Sequence, residues 1–281
     1  MIKSTKLILV RHAPVEKVTG YIPQNNPNAV VNLDHIKKLS SYIPNKSFCY
    51  TSPLKRTIQT AKAFSKAGYP TLLIARRLDI MESFKLENSM CRKVDVRDRE
   101  ALIAAIREAE KEYGPTDMIF NNAGVARLAE IGTQDPSEWD EMIDVNTKGV
   151  MNGIYAVMSN MKARKGGTIV NMSSIAGRKI YEDHTVYCGT KFFVHAISES
   201  IRGYLSPHNV RVIVMSPGNI EAEVLNGITD PNTLEAYKKN IERIGGRISP
   251  DYVAKMILFA YEMPQNVIMQ EVVVTPTKQD Y

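Results

Sequence analysis

Short apolar runs alternate with helix-like segments along this 281-residue chain, and this alternation constrains its fold more than any other feature. The runs are three to six residues long and favour strands. They span residues 7–10, 48–50, 71–75, 118–120, 168–170, 210–215 and 272–274. Between two of them, residues 99–113 carry apolar side chains at helical spacing, and Gly114 and Pro115 end the helix. Repeated strand–helix units of this kind predict an α/β fold with a doubly wound, mostly parallel sheet and helices on both faces. Ligands of such sheets bind beyond the carboxyl ends of the strands.

Composition excludes several classes of protein. No stretch approaches the roughly 20 apolar residues of a membrane span, so we predict no membrane partner. The first ten residues lack the small-residue cleavage site of a signal peptide. Cys49, Cys91 and Cys188 are few and far apart, which favours a reduced, cytoplasmic setting over a disulfide framework. No residue pattern predicts a metal site.

The basic charge is confined to the first fifth of the chain. Residues 1–61 hold nine Lys and Arg against two acids, whereas residues 62–281 hold 27 against 28. A basic arm that binds nucleic acid is one interpretation, but no dense Lys/Arg run or aromatic stacking pattern accompanies it. We therefore predict no nucleic-acid partner. The second interpretation is that the chain joins segments of different ancestry.

Tyr187 and Lys191 form a candidate catalytic pair. Four residues apart on a helix, they share one face. An ammonium beside a phenol favours the phenolate, which lowers the tyrosine pKa towards the range useful for general acid/base catalysis. The pair alone is a weak signal, since Tyr42 and Lys46 repeat it in a segment that Pro44 prevents from being helical.

Other polar and small residues follow the predicted strands or precede the pair. Ser174 lies 13 residues before Tyr187, after a strand, where a hydroxyl can hold a substrate oxygen. The remaining segments are Asn-Asn-Ala-Gly at 121–124, Asp-Val-Asn at 144–146 and Ser-Pro-Gly at 216–218. Taken singly, each of these segments also fits an ordinary turn or strand end.

In this order and at these spacings, the motifs resemble the short-chain dehydrogenase/reductase family over about residues 62–281. The resemblance implies a Rossmann-type sheet and reversible hydride transfer between a nicotinamide cofactor and a small-molecule alcohol or carbonyl. It also implies a possible homo-oligomer, a dimer or a tetramer. By the resemblance, Tyr187 is the proton donor and acceptor, and Lys191 lowers its pKa and holds the nicotinamide ribose. Ser174 positions the reacting oxygen, and Asn146 supports a proton relay through water.

The family resemblance also assigns the cofactor-binding residues. They are Arg76, Arg77, Asp95, Val96, Asn122, Ala123, Gly124, Tyr187, Lys191, Pro217 and Gly218. Relatives that prefer NAD place an acid after the strand that corresponds to 71–75, whereas this chain has Arg76 and Arg77. Because a guanidinium suits a 2′-phosphate, the resemblance favours NADP over NAD. The alternative is that both arginines form a solvated strand end.

The family's glycine-rich turn, Thr-Gly-x-x-x-Gly-x-Gly, is missing from this chain. Its glycines let the backbone approach the cofactor pyrophosphate. Counting back from the helix recognised at 61–68, side chains occupy all three glycine positions. Lys55 and Arg56, at the start of that helix, could attract phosphate, but side chains there fill space that the pyrophosphate needs. We therefore expect weakened cofactor binding; a scaffold with little or no catalysis and a simple anion-binding module are the alternatives.

The first 61 residues resemble a different family, the histidine phosphatase (phosphoglycerate mutase-like) superfamily. Leu-Val-Arg-His-Ala at 9–13 is similar to its nucleophile strand, and residues 51–61 are similar to its second signature. The resemblance implies that His12 is phosphorylated and that Arg11 and Arg56 hold the phosphoryl oxygens. No second active-site histidine or proton-donating acid follows in the family's context, so we predict no phosphatase activity.

The two resemblances together predict a single α/β domain of mixed ancestry over residues 1–281. Residues 1–61 would replace the first strand and glycine-rich loop of a dehydrogenase-like body, residues 62–281, by recombination or engineering. We expect the strand at 48–50 to take the central first-strand position. Residues 7–13 would then lose their parental place and join an edge, pack outside the sheet or become disordered.

Overall fold

One parallel sheet organises the protein. The structure, a computed structural model, describes residues 47–51, 55–228 and 230–280. Within these residues the strands are β1 (Ser47–Thr51), β2 (Thr71–Ala75), β3 (Ser89–Lys93), β4 (Thr116–Asn121), β5 (Gly167–Met172), β6 (Val210–Pro217) and β7 (Glu271–Val274). They pair in parallel in the order β3-β2-β1-β4-β5-β6-β7. The predicted Rossmann-type α/β fold is confirmed.

Helices cover both faces of the sheet. They are α1 (Lys55–Lys66), α2 (Leu78–Glu82), α3 (Arg99–Tyr113), α4 (Pro136–Ile143), α5 (Gly149–Ala163), α6 (Thr185–Leu205), α7 (Pro231–Arg243) and α8 (Pro250–Glu262). Phe64 of α1 and Ile257 of α8 belong to a core on one face. Ile106 of α3, Ile154 of α5 and Val194 of α6 belong to the core on the other. None of the helices in the described part is long and apolar enough to cross a membrane.

The predicted central position of the strand at 48–50 is confirmed. In β1, Cys49 pairs with Leu72 of β2 on one side and with Ile119 of β4 on the other. From β1 the chain builds outward to β2 and β3, then returns to start β4 on the opposite side. This reversal opens a crevice at the carboxyl ends of β1 and β4. The strand predicted at 7–10, and the placement of 7–13, lie outside the described residues.

Strand β3 was not predicted, because its sequence lacks a continuous apolar run. It lies at the edge of the sheet, where one side of a strand needs no strand partner and polar side chains are common. Arg92 in β3 pairs with Glu108 of α3, with 2.5 Å between Nη2 and Oε1. An apolar-run criterion therefore misses this strand.

Helix α3 has the predicted bounds, 99–113. The Asp98 side chain accepts a hydrogen bond from the Ala101 backbone N–H at its start, and Gly114, with φ of 87°, ends it. The helix recognised at 61–68 is part of α1, which begins earlier, at Lys55, and ends at Lys66. The compact unit that contains the sheet begins at Lys46. Whether the whole chain is one domain of mixed ancestry stays a prediction.

Candidate active site

Helix α6 carries the Tyr187–Lys191 pair at its amino-terminal end. The Lys191 Nζ atom lies 5.6 Å from the centroid of the Tyr187 ring. Lys191 is buried, and its Nζ donates a 3.0 Å hydrogen bond to the carbonyl oxygen of Met172, the last residue of β5. This bond ties the ammonium to the carboxyl end of the sheet. The predicted neighbours therefore do meet on one helix face.

Asn146 links the loop after β4 to α6. It is completely buried in a π-helical turn, Asp144–Lys148, between α4 and α5. Its Oδ1 accepts from the Val125 backbone N–H at 2.8 Å, and its Nδ2 donates to the Val125 carbonyl at 2.9 Å. The same Nδ2 lies 3.1 Å from Thr190 Oγ1, and that hydroxyl donates to the Tyr187 carbonyl at 2.8 Å. Asn146 thus reaches the Tyr187–Lys191 segment through Thr190.

Ser174 follows β5 and faces the same cavity as Tyr187. Its Oγ accepts a 3.1 Å hydrogen bond from the Ala176 backbone N–H and donates to the Pro217 carbonyl at 3.5 Å. The adjacent Ser173 is buried, and its hydroxyl donates to the Lys191 carbonyl at 3.1 Å. The two serines therefore have different roles. Ser173 holds α6 in place, and Ser174 faces the cavity.

The cavity has a volume of about 250 Å³, which suits a small molecule. Residues from five parts of the chain line it: Ala126, Leu128, Ser174, Ile175, Ala176, Tyr181, Asp183, His184, Tyr187, Pro217, Gly218, Asn219, Ile220, Val224, Ala236, Tyr237, Asn240 and Gln279. Ser174, Tyr187, Pro217 and Gly218 were predicted for the site. Six further lining residues, Asn219, Ile220, Val224, Ala236, Tyr237 and Asn240, lie in the segment 219–244.

A second, smaller cavity lies at the carboxyl ends of β2, β3 and β4. It is lined by Ile74, Ala75, Arg76, Val94, Asp95, Val96, Ala123, Gly124, Val125 and Val145. Arg76 is exposed, and the Asp95 carboxylate accepts a 2.7 Å hydrogen bond from Arg97, which lowers the Asp95 pKa. Arg77 does not line this cavity; it is the residue before α2. Asn122, which precedes the lining residue Ala123, is buried.

Gly124 stands where the two cavities approach each other. A Cβ added to it would lie 3.2 Å from Asn146 Oδ1 and 3.6 Å from Lys191 Nζ. Residues 123–125 line the smaller cavity and Ala126 lines the larger one. The backbone of one short segment therefore separates two cavities at one sheet edge. An extended ligand with two ring systems, such as a dinucleotide, fits this arrangement.

Several predicted residues fall outside the described part of the chain. They are Arg11, His12 and the side chain of Arg56, so the phosphate-binding set stays a prediction. Residues 52–54, within the segment that replaces the glycine-rich turn, are also outside it.

The cavity also contains polar residues that no sequence motif named, among them Asp183, His184, Tyr237 and Gln279. His184 Nδ1 lies 2.6 Å from Asp183 Oδ1, and the His184 ring stacks on that of Tyr237 with 6.2 Å between centroids. Tyr237 donates a 2.6 Å hydrogen bond to Asn219 Oδ1. Gln279 Oε1 accepts from the Asn219 backbone N–H at 2.8 Å. Only the closeness of 183 and 184 to Tyr187 in sequence could have indicated any of these residues.

Comparison with known proteins identifies the family. Residues 57–233 match the sequence profile of the family described as short chain dehydrogenase. The chain belongs to the short-chain dehydrogenase family. It is therefore an oxidoreductase of that family, and the corresponding resemblance is confirmed. The profile starts at residue 57, so the match includes the last residues of the segment 1–61. The phosphatase resemblance of 1–61 and a mixed ancestry remain predictions.

Two curated relatives illustrate the similarity of this short-chain dehydrogenase. An uncharacterized oxidoreductase of Staphylococcus saprophyticus is 33% identical over 228 residues, which cover 79% of this chain and 91% of the relative. A probable NADP-dependent dehydrogenase of Haemophilus influenzae is 31% identical over 224 residues, covering 78% and 88%.

Solved structures show the same fold. The closed form of serine dehydrogenase complexed with NADP⁺ superposes with a TM-score of 0.76 and 26% identity, covering 84% of this chain and 96% of that one. A 3-ketoacyl-(acyl-carrier-protein) reductase from Brucella melitensis, complexed with NADH, has a TM-score of 0.75 at 20% identity, covering 84% and 98%. The second likeness bears on the fold alone.

Proposed function

We propose that this protein transfers hydride reversibly between NADP(H) and a small alcohol or carbonyl compound. One observation carries the proposal: Ser174 and Tyr187 line one cavity, and the buried Lys191 ammonium lies 5.6 Å from the Tyr187 ring. A hydroxyl, a phenol and an ammonium in this arrangement can bind a reacting oxygen and move its proton.

The chain's residues would divide the reaction as follows. In the oxidation direction, the Tyr187 phenolate takes the proton of the substrate hydroxyl. Lys191 favours the phenolate through its positive charge, and the Met172 carbonyl holds it in place. Ser174 Oγ donates a hydrogen bond to the reacting oxygen. Asn146 keeps the loop after β4 against α6, which fixes the Tyr187 backbone through Thr190. Pro217 and Gly218 would hold the nicotinamide, which would supply hydride-accepting chemistry at the substrate carbon.

Two ends of the crevice would hold the cofactor. Arg76, Asp95, Val96 and Gly124 line the cavity suited to the adenosine, whereas Pro217 and Gly218 line the cavity suited to the nicotinamide. Arg76 is exposed there and free to pair with a 2′-phosphate. The Haemophilus relative is named as NADP-dependent and the serine dehydrogenase structure contains NADP⁺, which supports NADP as the cofactor. Ala123 lines the adenosine-side cavity as well, and Arg77 and Asn122 are proposed as further cofactor-binding residues.

Tyr187→Phe tests the proposal. It removes the proton acceptor and keeps the ring, so we expect turnover of a panel of short alcohols with NADP to fall by about 10²-fold or more. Calorimetric titration should give the same NADP affinity for both proteins. Tyr252→Phe, an exposed tyrosine on α8, is the matched control and should leave turnover unchanged. If Tyr187→Phe keeps full turnover, the proposed role of Tyr187 is wrong.

A further inference from the structure

The cavity wall opposite the sheet combines aromatic rings with one carboxylate. Asp183 and His184 lie in a short 3₁₀ turn, Glu182–His184, directly before α6. The His184 ring centroid lies 5.3 Å from that of Tyr181, 6.2 Å from that of Tyr187 and 6.2 Å from that of Tyr237. All five side chains line the cavity described above.

The charge of this wall is negative. Asp183 is the carboxylate among the described lining residues, and no Lys or Arg is found among them. The hydrogen bond from His184 lowers the Asp183 pKa, so the carboxylate stays ionised at neutral pH. Because an ionised carboxylate only accepts hydrogen bonds, His184 Nδ1 donates to Asp183 and holds the carboxylate in the wall.

Tyr181 and Tyr237 supply aromatic faces to this wall. Such faces attract cations through the negative face of the ring, and the Lys179 ammonium already lies 5.9 Å from the Tyr181 ring centroid. The Tyr237 ring is therefore the aromatic face that we assign to the ligand.

Resting on the oxidoreductase function proposed above, we propose that this wall binds a cationic nitrogen of the substrate. The substrate class is then a small amino alcohol or the corresponding aminocarbonyl compound. The hydroxyl would lie at Ser174 and Tyr187. The ammonium would lie at Asp183 and His184, away from Tyr187, because the Lys191 ammonium repels a second positive charge.

Other substrate classes fit the wall less well. A carboxylate at this place would face Asp183 without a lining guanidinium or ammonium to compensate the repulsion. A purely apolar group would remove water from the Asp183 carboxylate without replacing the interactions that water makes with it. A cationic group avoids both costs, because its charge attracts the carboxylate.

A binding experiment isolates the charge. Choline and its neutral isostere 3,3-dimethylbutan-1-ol have the same shape and differ in one positive charge. Each is titrated into the full chain, with and without NADP, and followed by saturation-transfer NMR and calorimetry. We expect choline to bind at least roughly tenfold more tightly, as a desolvated cation–π and charge contact allows. Equal affinities, or a preference for the isostere, would overturn the inference.

Matched variants assign the preference to the wall. Asp183→Asn should bring the ratio of the two affinities close to one. Glu182→Gln changes the net charge equally at an exposed neighbour outside the cavity and should keep the ratio. Tyr237→Phe retains the ring and Tyr237→Leu removes it, so only the second should weaken choline binding. Thermal unfolding and circular dichroism verify that each variant is folded. If Glu182→Gln acts as strongly as Asp183→Asn, the site is wrong.

A kinetic series separates this inference from the proposed function. 1-Amino-2-propanol, 1,2-propanediol and 3-hydroxybutyrate share one reacting carbon and carry a cationic, a neutral and an anionic group. With NADP, we expect kcat/KM to be at least roughly tenfold higher for the amino alcohol, through a lower KM. Preferred turnover of the diol or the hydroxybutyrate would overturn the inference and leave the proposed function standing. Tight choline binding without turnover of any of the three alcohols would overturn the proposed function and leave the cation site standing.

Discussion

At the scale of residues, the candidate site depends on side chains that hold one another in place. Lys191 is fixed by a main-chain carbonyl of β5, and Asn146 is fixed by both backbone groups of Val125. Ser173 ties the α6 backbone to the end of the same strand. Side chains held this firmly lose little conformational entropy when a substrate binds. Precise proton transfer requires such preorganised side chains. Substitutions here should therefore lower rate constants and, because they break buried hydrogen bonds, also the unfolding free energy.

The cofactor preference should reside in Arg76. Replacing it with Asp removes the partner of a 2′-phosphate and supplies an acceptor for a ribose 2′-hydroxyl. We expect the NADP Kd from calorimetry to rise by at least roughly tenfold, and the NAD Kd to rise much less or to fall. Arg77→Asp makes the same charge change at a residue that does not line the adenosine-side cavity, so it should raise the NADP Kd less than Arg76→Asp. A larger loss for Arg77→Asp would place the 2′-phosphate at Arg77 instead.

His195 should make stability depend on pH. It lies half-buried between Ser216 and Glu271, and burial lowers its pKa, although the Glu271 charge opposes the shift. Because the unfolded chain binds the proton more readily, His195 favours the fold above its unfolded pKa of about 6.5, and this contribution falls as pH drops. His195→Gln should flatten the loss of unfolding free energy between about pH 7.5 and 5.5 in urea titrations. An unchanged slope would exclude this role.

At the scale of elements, a buried arginine joins β5, β6 and the end of α8. Arg211 of β6 donates to Thr168 Oγ1 of β5 at 2.9 Å and to the Tyr261 and Met263 carbonyls at the end of α8, at 2.8 and 2.9 Å. Burial lowers the pKa of this guanidinium. Its hydrogen bonds satisfy carbonyls that α8 leaves without helical partners where it ends. The contact ties the end of α8 to β5 and β6.

Arg211→Met should destabilise the protein more than most single substitutions. It leaves buried carbonyl groups without donors, so we expect a loss of roughly 2–5 kcal/mol in unfolding free energy. Arg243→Met is the control. Arg243 is exposed, and its ion pair among the described residues is with the exposed Asp280. Its cost should stay below about 1 kcal/mol. Equal losses in urea unfolding would show that the buried hydrogen bonds contribute little.

At the scale of the whole molecule, the two cavities lie at one edge of a single sheet. One is built by β2, β3 and β4, and the other by the ends of β5 and β6, the start of α6, α7 and the carboxyl-terminal residues. A ligand that occupies both would connect the two halves of the sheet across the reversal in strand order. Binding of such a ligand should therefore stabilise the fold as a unit.

NADP should raise the melting temperature. At about 100 times its Kd, a ligand adds about 2.7 kcal/mol, which corresponds to roughly 5–10 °C for a domain of this size. We expect a larger shift with NADP than with NAD in thermal unfolding, and the same NADP shift for Tyr187→Phe. No shift at millimolar NADP would mean that the segment replacing the glycine-rich turn prevents cofactor binding.

Local sequence patterns were sufficient for most of the fold and for the core of the site. Every apolar run that falls in the described residues is a strand, and helix 99–113 has its predicted bounds, because hydrophobic periodicity and capping act over a few residues. The motif order also indicated Ser174, Asn146, Tyr187 and Lys191. The edge strand β3 was not predicted, because an edge strand needs no continuous apolar run.

The wall of the cavity, in contrast, exists only in the folded molecule. Tyr237 and Gln279 are 50 and 92 residues from Tyr187 in sequence, yet line the cavity with it. No local pattern marks them, since their closeness follows from how α7 and the carboxyl-terminal residues pack over the sheet edge. Short-range motifs, which encode a helix face and strand ends, thus indicate the reaction class. The substrate's charge is selected by side chains that tertiary packing alone brings together.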